Sequence, residues 1–237
     1  MKTKLIAEIG LNHLGSKKYL TTFQNFLSKK NIDGLTIQVP GESLMQQNQK
    51  KFLLNDKIII NFINESKKQF KFVGIATDSA EKIDFFSKQN IDFFKVTSGM
   101  FTNIHLIKKM QKSPVKKIFL STGFSNHQEI KKILKKIKNK KNLLIHTTFK
   151  KDIKDLNLKN INFLKKKFNT PVAYGNHSIF LESIPNAIFY EPDFIFFYVK
   201  LNKNLNYPDN KHAIRLNQLD LILKKIENNI KMSGIKK

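Results

Sequence analysis

A single-domain α/β fold of the (β/α)8 TIM-barrel type is what this sequence predicts, on three observations. Short, continuous apolar runs recur eight times along the 237 residues. Each is followed by a stretch with apolar residues at three- and four-residue spacing and lysine on the opposite face. Polar residues gather immediately after the apolar runs. Strands buried on both faces of a parallel sheet read as unbroken hydrophobic runs, and the helices that cover them carry one apolar stripe. Eight such pairs favour a closed barrel. An open doubly wound sheet is the competing architecture, but no glycine-rich dinucleotide fingerprint follows any run.

The elements follow in order. Lys4–Ile9 is the first strand, presenting Glu8 near its end, and Ser16 opens a helix over Tyr19–Leu27. Leu35–Val39 pairs with a helix over Lys57–Lys68, and Phe70–Ala76 with one over Ala80–Lys88. Phe93–Thr97, with Ile104–Met110, and Lys117–Ser121, with Gln128–Ile137, form the fourth and fifth units. Leu143–Thr147 precedes Ile161–Phe168, Pro171–Tyr174 precedes Ile179–Phe189, and Phe194–Val199 precedes Leu216–Ile230. The runs are rich in β-branched and aromatic residues, and the intervening segments keep a helical period. No Pro/Gly/Ser-rich linker divides residues 1–237, and no repeat is evident beyond the strand–helix alternation. The longest irregular connections, Pro40–Asp56 and Asn202–Ile214, fall after the second and eighth strands. Both belong on the carboxyl face of a barrel, where long loops tend to be functional.

Composition narrows the function classes. No apolar run approaches the roughly 18 residues of a membrane span, and Met1-Lys2-Thr3-Lys4 leads straight into a strand without the apolar core of a signal peptide. A cytoplasmic location with no membrane partner is the expectation. The absence of cysteine excludes disulfides, thiolate metal sites and a cysteine nucleophile. A net charge of +25 suggests nucleic acid, but Arg215 is the only arginine among 43 basic residues. Arginine is preferred for bidentate phosphate and base contacts. The lysines fall on helix faces, as at Lys131, Lys132, Lys135, Lys136 and Lys138, in a chain rich in Asn, Ile and Phe. That usage reflects an adenine/thymine-rich genome rather than a nucleic-acid partner. A positive field serves small anionic substrates equally well.

The strand ends carry the chemistry. The first brings Glu8, Asn12 and His13 in Ile6-Ala7-Glu8-Ile9-Gly10-Leu11-Asn12-His13-Leu14-Gly15, and the second brings Gln38. The fourth gives Lys95 and Ser98, the fifth Ser121 and Thr122, and the sixth His146 and Thr148. The seventh gives His177, the eighth Lys200, and the last loop His212. A lysine among hydroxyls and glycine-exposed amides suits a phosphate or carboxylate. A neutral imidazole can hold a divalent ion that polarises a carbonyl. Each piece has a plainer reading. Lys95 fits a barrel lysine paired with a buried carboxylate such as Glu8, Ser121-Thr122-Gly123 fits a helix cap and turn, and His177 fits a hydrogen-bonded core histidine. His105 and His127 read as surface residues.

These motifs, taken in order, resemble the sialic acid synthase family, which makes N-acetylneuraminate, pseudaminate and legionaminate. The likeness runs from IAEIGxNHxG through FKVTSG around Lys95, LSTG ending at Gly123, LLIHTT at Leu143–Thr148, DLNL at Asp155–Leu158 and PVAYGNHS at Pro171–Ser178 to the Pro208–Ala213 loop. It implies an enzyme whose barrel condenses phosphoenolpyruvate with an open-chain N-acetylated hexosamine, an amino sugar, to a nine-carbon sugar acid, with a divalent metal. Carried over, Lys95, Ser98 and Ser121 would grip phosphoenolpyruvate, Glu8 would contact the sugar, and His177 would ligate the metal. The catalytic set is then Glu8, Lys95 and His177. Asn12, His13, Gln38, Ser98, Ser121, Thr122, His146, Thr148, Lys200 and His212 complete the substrate site. The resemblance admits a homodimer.

The departures are specific. Family members carry Lys-Phe-Gln where this chain has Thr36-Ile37-Gln38, so one phosphate-binding lysine is missing. Met100 stands where an acid follows Ser-Gly, and Gly74-Ile75-Ala76-Thr77-Asp78 replaces Ser-Thr-Pro-Phe-Asp. The second metal histidine falls on Lys200. Pro208-Asp209-Asn210-Lys211-His212 replaces Pro-Gly-Pro-Asp-His, and a two-residue contraction near Phe149–Ile153 removes Tyr-Pro-Thr-Pro. The C-terminal antifreeze-like domain is expected to be absent. Three readings follow. The first is a condensing synthase with a weak or substrate-assisted manganese or magnesium ion, or with none and Lys200 in its place. The second is a degenerate barrel that binds a sugar phosphate or a protein partner. The third is an aldolase with a lysine Schiff base.

Overall fold

The structure, a computed structural model, describes residues 3–41, 47–150 and 152–234. Residues 42–46 of the Pro40–Asp56 connection and residue 151 of the contracted stretch lie outside the described residues. Eight parallel strands run β1 (Lys4–Gly10), β2 (Gly34–Gln38), β3 (Phe72–Ala76), β4 (Phe93–Val96), β5 (Lys117–Ser121), β6 (Asn142–His146), β7 (Val172–Gly175) and β8 (Phe194–Lys200). They pair in sequence order, and β1 pairs back onto β8 to close the barrel. The helices are α1 (Lys17–Leu27), α2 (Asp56–Gln69), α3 (Ile83–Ser87), α4 (Ile104–Lys112), α5 (His127–Lys136), α6 (Asn160–Phe168), α7 (Ser183–Asn186) and α8 (Leu219–Met232). The predicted (β/α)8 barrel is the observed one.

Side chains alternate along each strand, and the alternation splits the core in two. Ile6, Phe93, Phe119, Leu143, Ile145, Ala173, Phe194 and Phe196 fill the lumen. The intervening residues face the helices in a second, larger cluster. Phe119 sits edge-on to Phe93, Phe194 and Phe196 at centroid distances of 5.1, 4.9 and 4.8 Å. Such contacts add about 0.5–1.5 kcal/mol each beyond area burial. Gly74 makes room for this plug, since a Cβ there would stand 2.1 Å from the Phe93 ring. The plugged lumen forces chemistry up to the strand ends.

Several helices begin on polar caps: the Ser16, Asn55, Asn103 and Asn126 side chains each accept from a backbone N–H in the first turn. Because α5 is capped by Asn126, Ser121 and Thr122 are not its cap. Two predicted helices are shorter. The Ile179–Phe189 segment forms only α7 and a 3-10 turn at Ala187–Tyr190, because Pro185 is tolerated only within a first turn and so fixes where α7 starts. The Ala80–Lys88 segment narrows to α3, whose cap residue Lys82 offers no side-chain bond. At the end of the expected Asn202–Ile214 loop, Ile214–Arg215 forms a short strand, β9, that pairs with Val199 and Lys200. No described helix is long and apolar enough to cross a membrane.

Candidate active site at the strand ends

Counting by twos from the lumen plug places the inward side chains one layer higher. Glu8 follows Ile6 on β1, Lys95 follows Phe93 on β4, Ser121 follows Phe119 on β5, and Tyr198 follows Phe196 on β8. Lys95 donates from Nζ to Glu8 Oε1 in a pair whose side chains are 4% and 2% exposed. The plainer reading of Lys95, a partner for Glu8, is thus realised. The ammonium also lies 5.4 Å from the Tyr198 ring centroid and 5.5 Å from that of Phe196. Burial, then the charges of Glu8 and Asp209 and a hydrogen bond with Glu8, push the Tyr198 phenol well above its ordinary 10. It stays protonated beside the carboxylate.

A second layer of rings covers the pair. His177 packs against Phe149, His212 and Tyr198 at 4.5, 4.9 and 5.1 Å between centroids. Burial, with the nearby Lys95 cation and then His212, holds its imidazole well below the ordinary 6.5. It is neutral. His212 Nε2 lies 3.5 Å from Asp209 Oδ1 but is not aligned with it, and has no hydrogen-bond partner among the described residues. Ser98 Oγ accepts from the Gly123 N–H at 3.2 Å, which leaves its own proton to donate.

The long Asn202–Ile214 connection is fixed to the first strand. Asn12 donates to the Val199 carbonyl at 2.9 Å and accepts from the Asp209 N–H at 3.1 Å. Gly10 makes that closeness possible at φ 56°, where a Cβ would meet Tyr198 at 2.7 Å and Asp209 at 2.8 Å. His13 is fully buried. Its Nδ1 accepts from Gly15 N–H at 3.0 Å, and desolvation lowers its pKa to about 4 against the raising effect of the Gln38 backbone. Gln38 is half-buried at the end of β2. Asn12 and His13 therefore brace the mouth rather than line it.

Four further expectations change place. His146 follows Ile145, which faces the lumen, so its ring points outward into the helix layer. There Nε2 bonds the Leu156 carbonyl at 2.9 Å and Nδ1 bonds the Asn160 amide at 3.2 Å. Thr122 donates to the Ile145 carbonyl at 3.0 Å, and Thr148 accepts from the Lys150 N–H at 3.3 Å. Thr122, His146 and Thr148 line a cavity of about 470 Å³ on the outer side of the β5 and β6 ends, with His127, Lys150 and Asn160. The expected substrate role of His146 is corrected on this point: it lies at the same end of the barrel as Glu8, Lys95, Ser121 and His177 but outside the lumen. Lys200 does not reach the pair either, because its Nζ is held by Asn210 O and Oδ1 at 2.5 and 2.8 Å.

A family model described as NeuB family matches residues 35–237. The chain belongs to the NeuB family. Among curated relatives, N,N'-diacetyllegionaminic acid synthase of Campylobacter jejuni is 30% identical over 98% of this chain and 78% of its own. Pseudaminic acid synthase of the same species is 24% identical over 90% of this chain and 69% of its own. A solved N-acetylneuraminic acid (sialic acid) synthetase from Leptospira borgpetersenii superposes with a TM-score of 0.91 at 20% identity, covering 100% of this chain and 87% of that one. The resemblance read from the motifs and the family membership agree.

The departures from the NeuB pattern also have places. Thr36 is buried opposite Glu8 in the β1–β2 register, and Met100 packs half-buried against the outer core. Among the described residues no three His, Asp or Glu side chains are grouped to hold a metal ion. The Lys95 charge beside His177 further disfavours a cation there. The donor set does not fit a resident divalent metal. Sequence reasoning missed Tyr198 and Phe149. Strand alternation was the signal that could have found Tyr198.

Proposed function

We propose that this barrel condenses phosphoenolpyruvate with an N-acetylated hexosamine to a nine-carbon sugar acid, in sialic-acid-type carbohydrate biosynthesis. The observation that carries the reading is the buried Lys95–Glu8 pair at the carboxyl ends of the strands, close to a neutral His177, with Ser98 and Ser121 at the ends of β4 and β5. Lys95, with those hydroxyls, binds the phosphate and carboxylate of phosphoenolpyruvate by charge-assisted hydrogen bonds. Glu8, released from Lys95 as the anion enters, takes a sugar hydroxyl.

C3 of phosphoenolpyruvate then forms the new bond to the aldehyde carbon. The aldehyde oxygen becomes a hydroxyl, with the protonated Tyr198 phenol and the Lys95 ammonium as donors to the developing alkoxide. Water, hydrogen-bonded to the neutral His177 imidazole, adds at C2; one of its protons ends on the new hydroxyl and the other leaves with phosphate as the C2–O bond breaks to give the ketone. The reading carries a cytoplasmic location, where phosphoenolpyruvate is made, and a homodimer that sedimentation would detect.

One observation favours a second reading, a degenerate barrel that binds a sugar phosphate or a partner without condensing anything. Glu8 already neutralises Lys95, and the second lysine is Thr36. Phosphate release from phosphoenolpyruvate, measured with and without N-acetylmannosamine as acceptor, separates the two. Acceptor-dependent release supports the synthase. Phosphoenolpyruvate binding without release for any N-acetylated hexosamine supports the degenerate barrel.

A further inference from the structure

Lys95 is a primary amine sealed at the carboxyl ends of the strands, with a carboxylate as its ion-pair partner. Its side chain is 4% exposed and that of Glu8 2%, and Nζ donates to Glu8 Oε1. The phenylalanine plug lies one layer below, and the Phe196 and Tyr198 ring centroids stand 5.5 and 5.4 Å from the ammonium. The Tyr198 phenol is hydrogen-bonded to the same carboxylate. A proton can therefore move among amine, carboxylate and phenol without passing through solvent. Two desolvated charges in contact also cancel when one proton crosses between them, which leaves a neutral amine in a buried place.

Making or breaking a carbon–carbon bond next to a carbonyl needs an electron sink. A metal ion on the carbonyl oxygen is one such sink, but the donor set of the described residues does not fit it. A protonated imine is another, and it takes a single amine with a base in contact. We propose that Lys95 also acts as an imine-forming amine, with Glu8 as its proton acceptor, giving the barrel a metal-independent lyase activity that cleaves 4-hydroxy-2-oxo acids into pyruvate and an aldehyde. This goes beyond the synthase reading, which uses Lys95 as an ammonium. Lys95 passes one proton to Glu8, and the amine adds to C2 of the oxo acid with a second proton moving to the C2 oxygen. Glu8 returns its proton to that hydroxyl, water leaves, and an iminium remains. The Glu8 carboxylate then takes the C4 hydroxyl proton. The C3–C4 bond breaks, its electron pair moves towards the nitrogen as an enamine, and the aldehyde departs. Protonation of C3 by Glu8 and hydrolysis of the imine free pyruvate and restore the ion pair.

The test incubates the full chain with pyruvate, the smallest 2-oxo acid, in excess chelator, reduces it with borohydride and maps the labelled peptides by mass spectrometry. Label is expected on Lys95 rather than spread over the exposed lysines, and Lys95→Arg should lose it. Glu8→Gln should slow labelling by about a hundredfold, the low end of what a positioned proton acceptor contributes, while phosphoenolpyruvate binding tightens in the same variant. A merely structural carboxylate would not move the two readouts in opposite directions. Pyruvate release from N-acetylneuraminate, coupled to lactate dehydrogenase, should require Lys95 and survive the chelator. Label confined to exposed lysines of the parent chain overturns the imine whether or not the variants fold, and so does Lys95 label that forms as fast in Glu8→Gln. Phosphoenolpyruvate binding that persists in either case leaves the synthase reading standing. Label on Lys95 without pyruvate release overturns the lyase activity, and release that the chelator abolishes overturns its independence of metal.

Discussion

Replacing Lys95 by Met keeps the aliphatic stem and removes the charge, leaving Glu8 buried at 2% exposure with Tyr198 as its remaining donor. Breaking a buried pair from one side typically costs about 3–5 kcal/mol, because the surviving charge is desolvated without its counterion. Glu8→Gln should cost a similar amount for the same reason. The double variant removes both charges, and pairs replaced together are often close to neutral. The coupling between the two sites should therefore be about 3 kcal/mol or more. An exposed pair such as Lys68–Glu65 should give less than about 1 kcal/mol. Urea denaturation of the four proteins, followed by circular dichroism with equal slopes, measures the coupling. Binding adds an independent arm. Lys95→Met should abolish phosphoenolpyruvate binding, whereas Glu8→Gln, which frees the ammonium from its internal counterion, should tighten it. Single variants costing under about 1 kcal/mol would show the pair to be solvated. Glu8→Gln binding phosphoenolpyruvate no better than the parent would refute Lys95 as the anion anchor.

Three further outcomes are expected. His13, His146 and His177 all have folded pKa values below the ordinary 6.5, His13 at about 4. Stability should be complete above pH 6.5 and fall as the pH drops from there through the folded values, by up to about 1.4 kcal/mol per pH unit for each histidine. Denaturation midpoints that do not move between pH 7.5 and 5 would contradict their burial as neutral rings. Manganese, titrated by electron paramagnetic resonance, should bind the unliganded protein weakly, and tight binding would overturn the judgement that the donor set does not fit a metal. Gly10→Ala should destabilise by more than about 1 kcal/mol, from the positive φ and the overlap with Tyr198 and Asp209. A neutral result there would mean that the Asn202–Ile214 connection moves aside freely.

The barrel was legible because its signal is repeated: each buried strand is an apolar run, and one misjudged end leaves the count intact. The site was legible only as far as sequence position maps onto strand alternation. Glu8 and Lys95 fall two residues beyond Ile6 and Phe93, so both point where a strand-end residue is expected to point. His146 breaks the expectation because its neighbour Ile145 holds the inward position, a parity the sequence contains but which motif position alone ignores. Tyr198 escaped notice because an aromatic inside Phe194–Lys200 reads as core until its partners across the lumen are known. Lys200 was expected at the substrate, and its capture by Asn210 depends on a loop path that no local pattern encodes. The two residues of β9 are too few to show any period.

Asn12 bonds residues 187 and 197 positions away in the chain. The most recognisable motif in the sequence is thus synthesised well before the partners that give it its working shape. Until β8 and the loop after it have emerged and closed the seam against β1, Asn12 lacks both partners, and Glu8 lacks Tyr198. Closing so long a span is entropically slow, as it is for topologies rich in distant contacts. An incomplete chain would expose the β1 edge with its ionisable Glu8, a species prone to pairing with other strands. Ligand binding should be absent from nascent chains truncated before Val199 and present in those that extend beyond α8, so that competence arrives in one step.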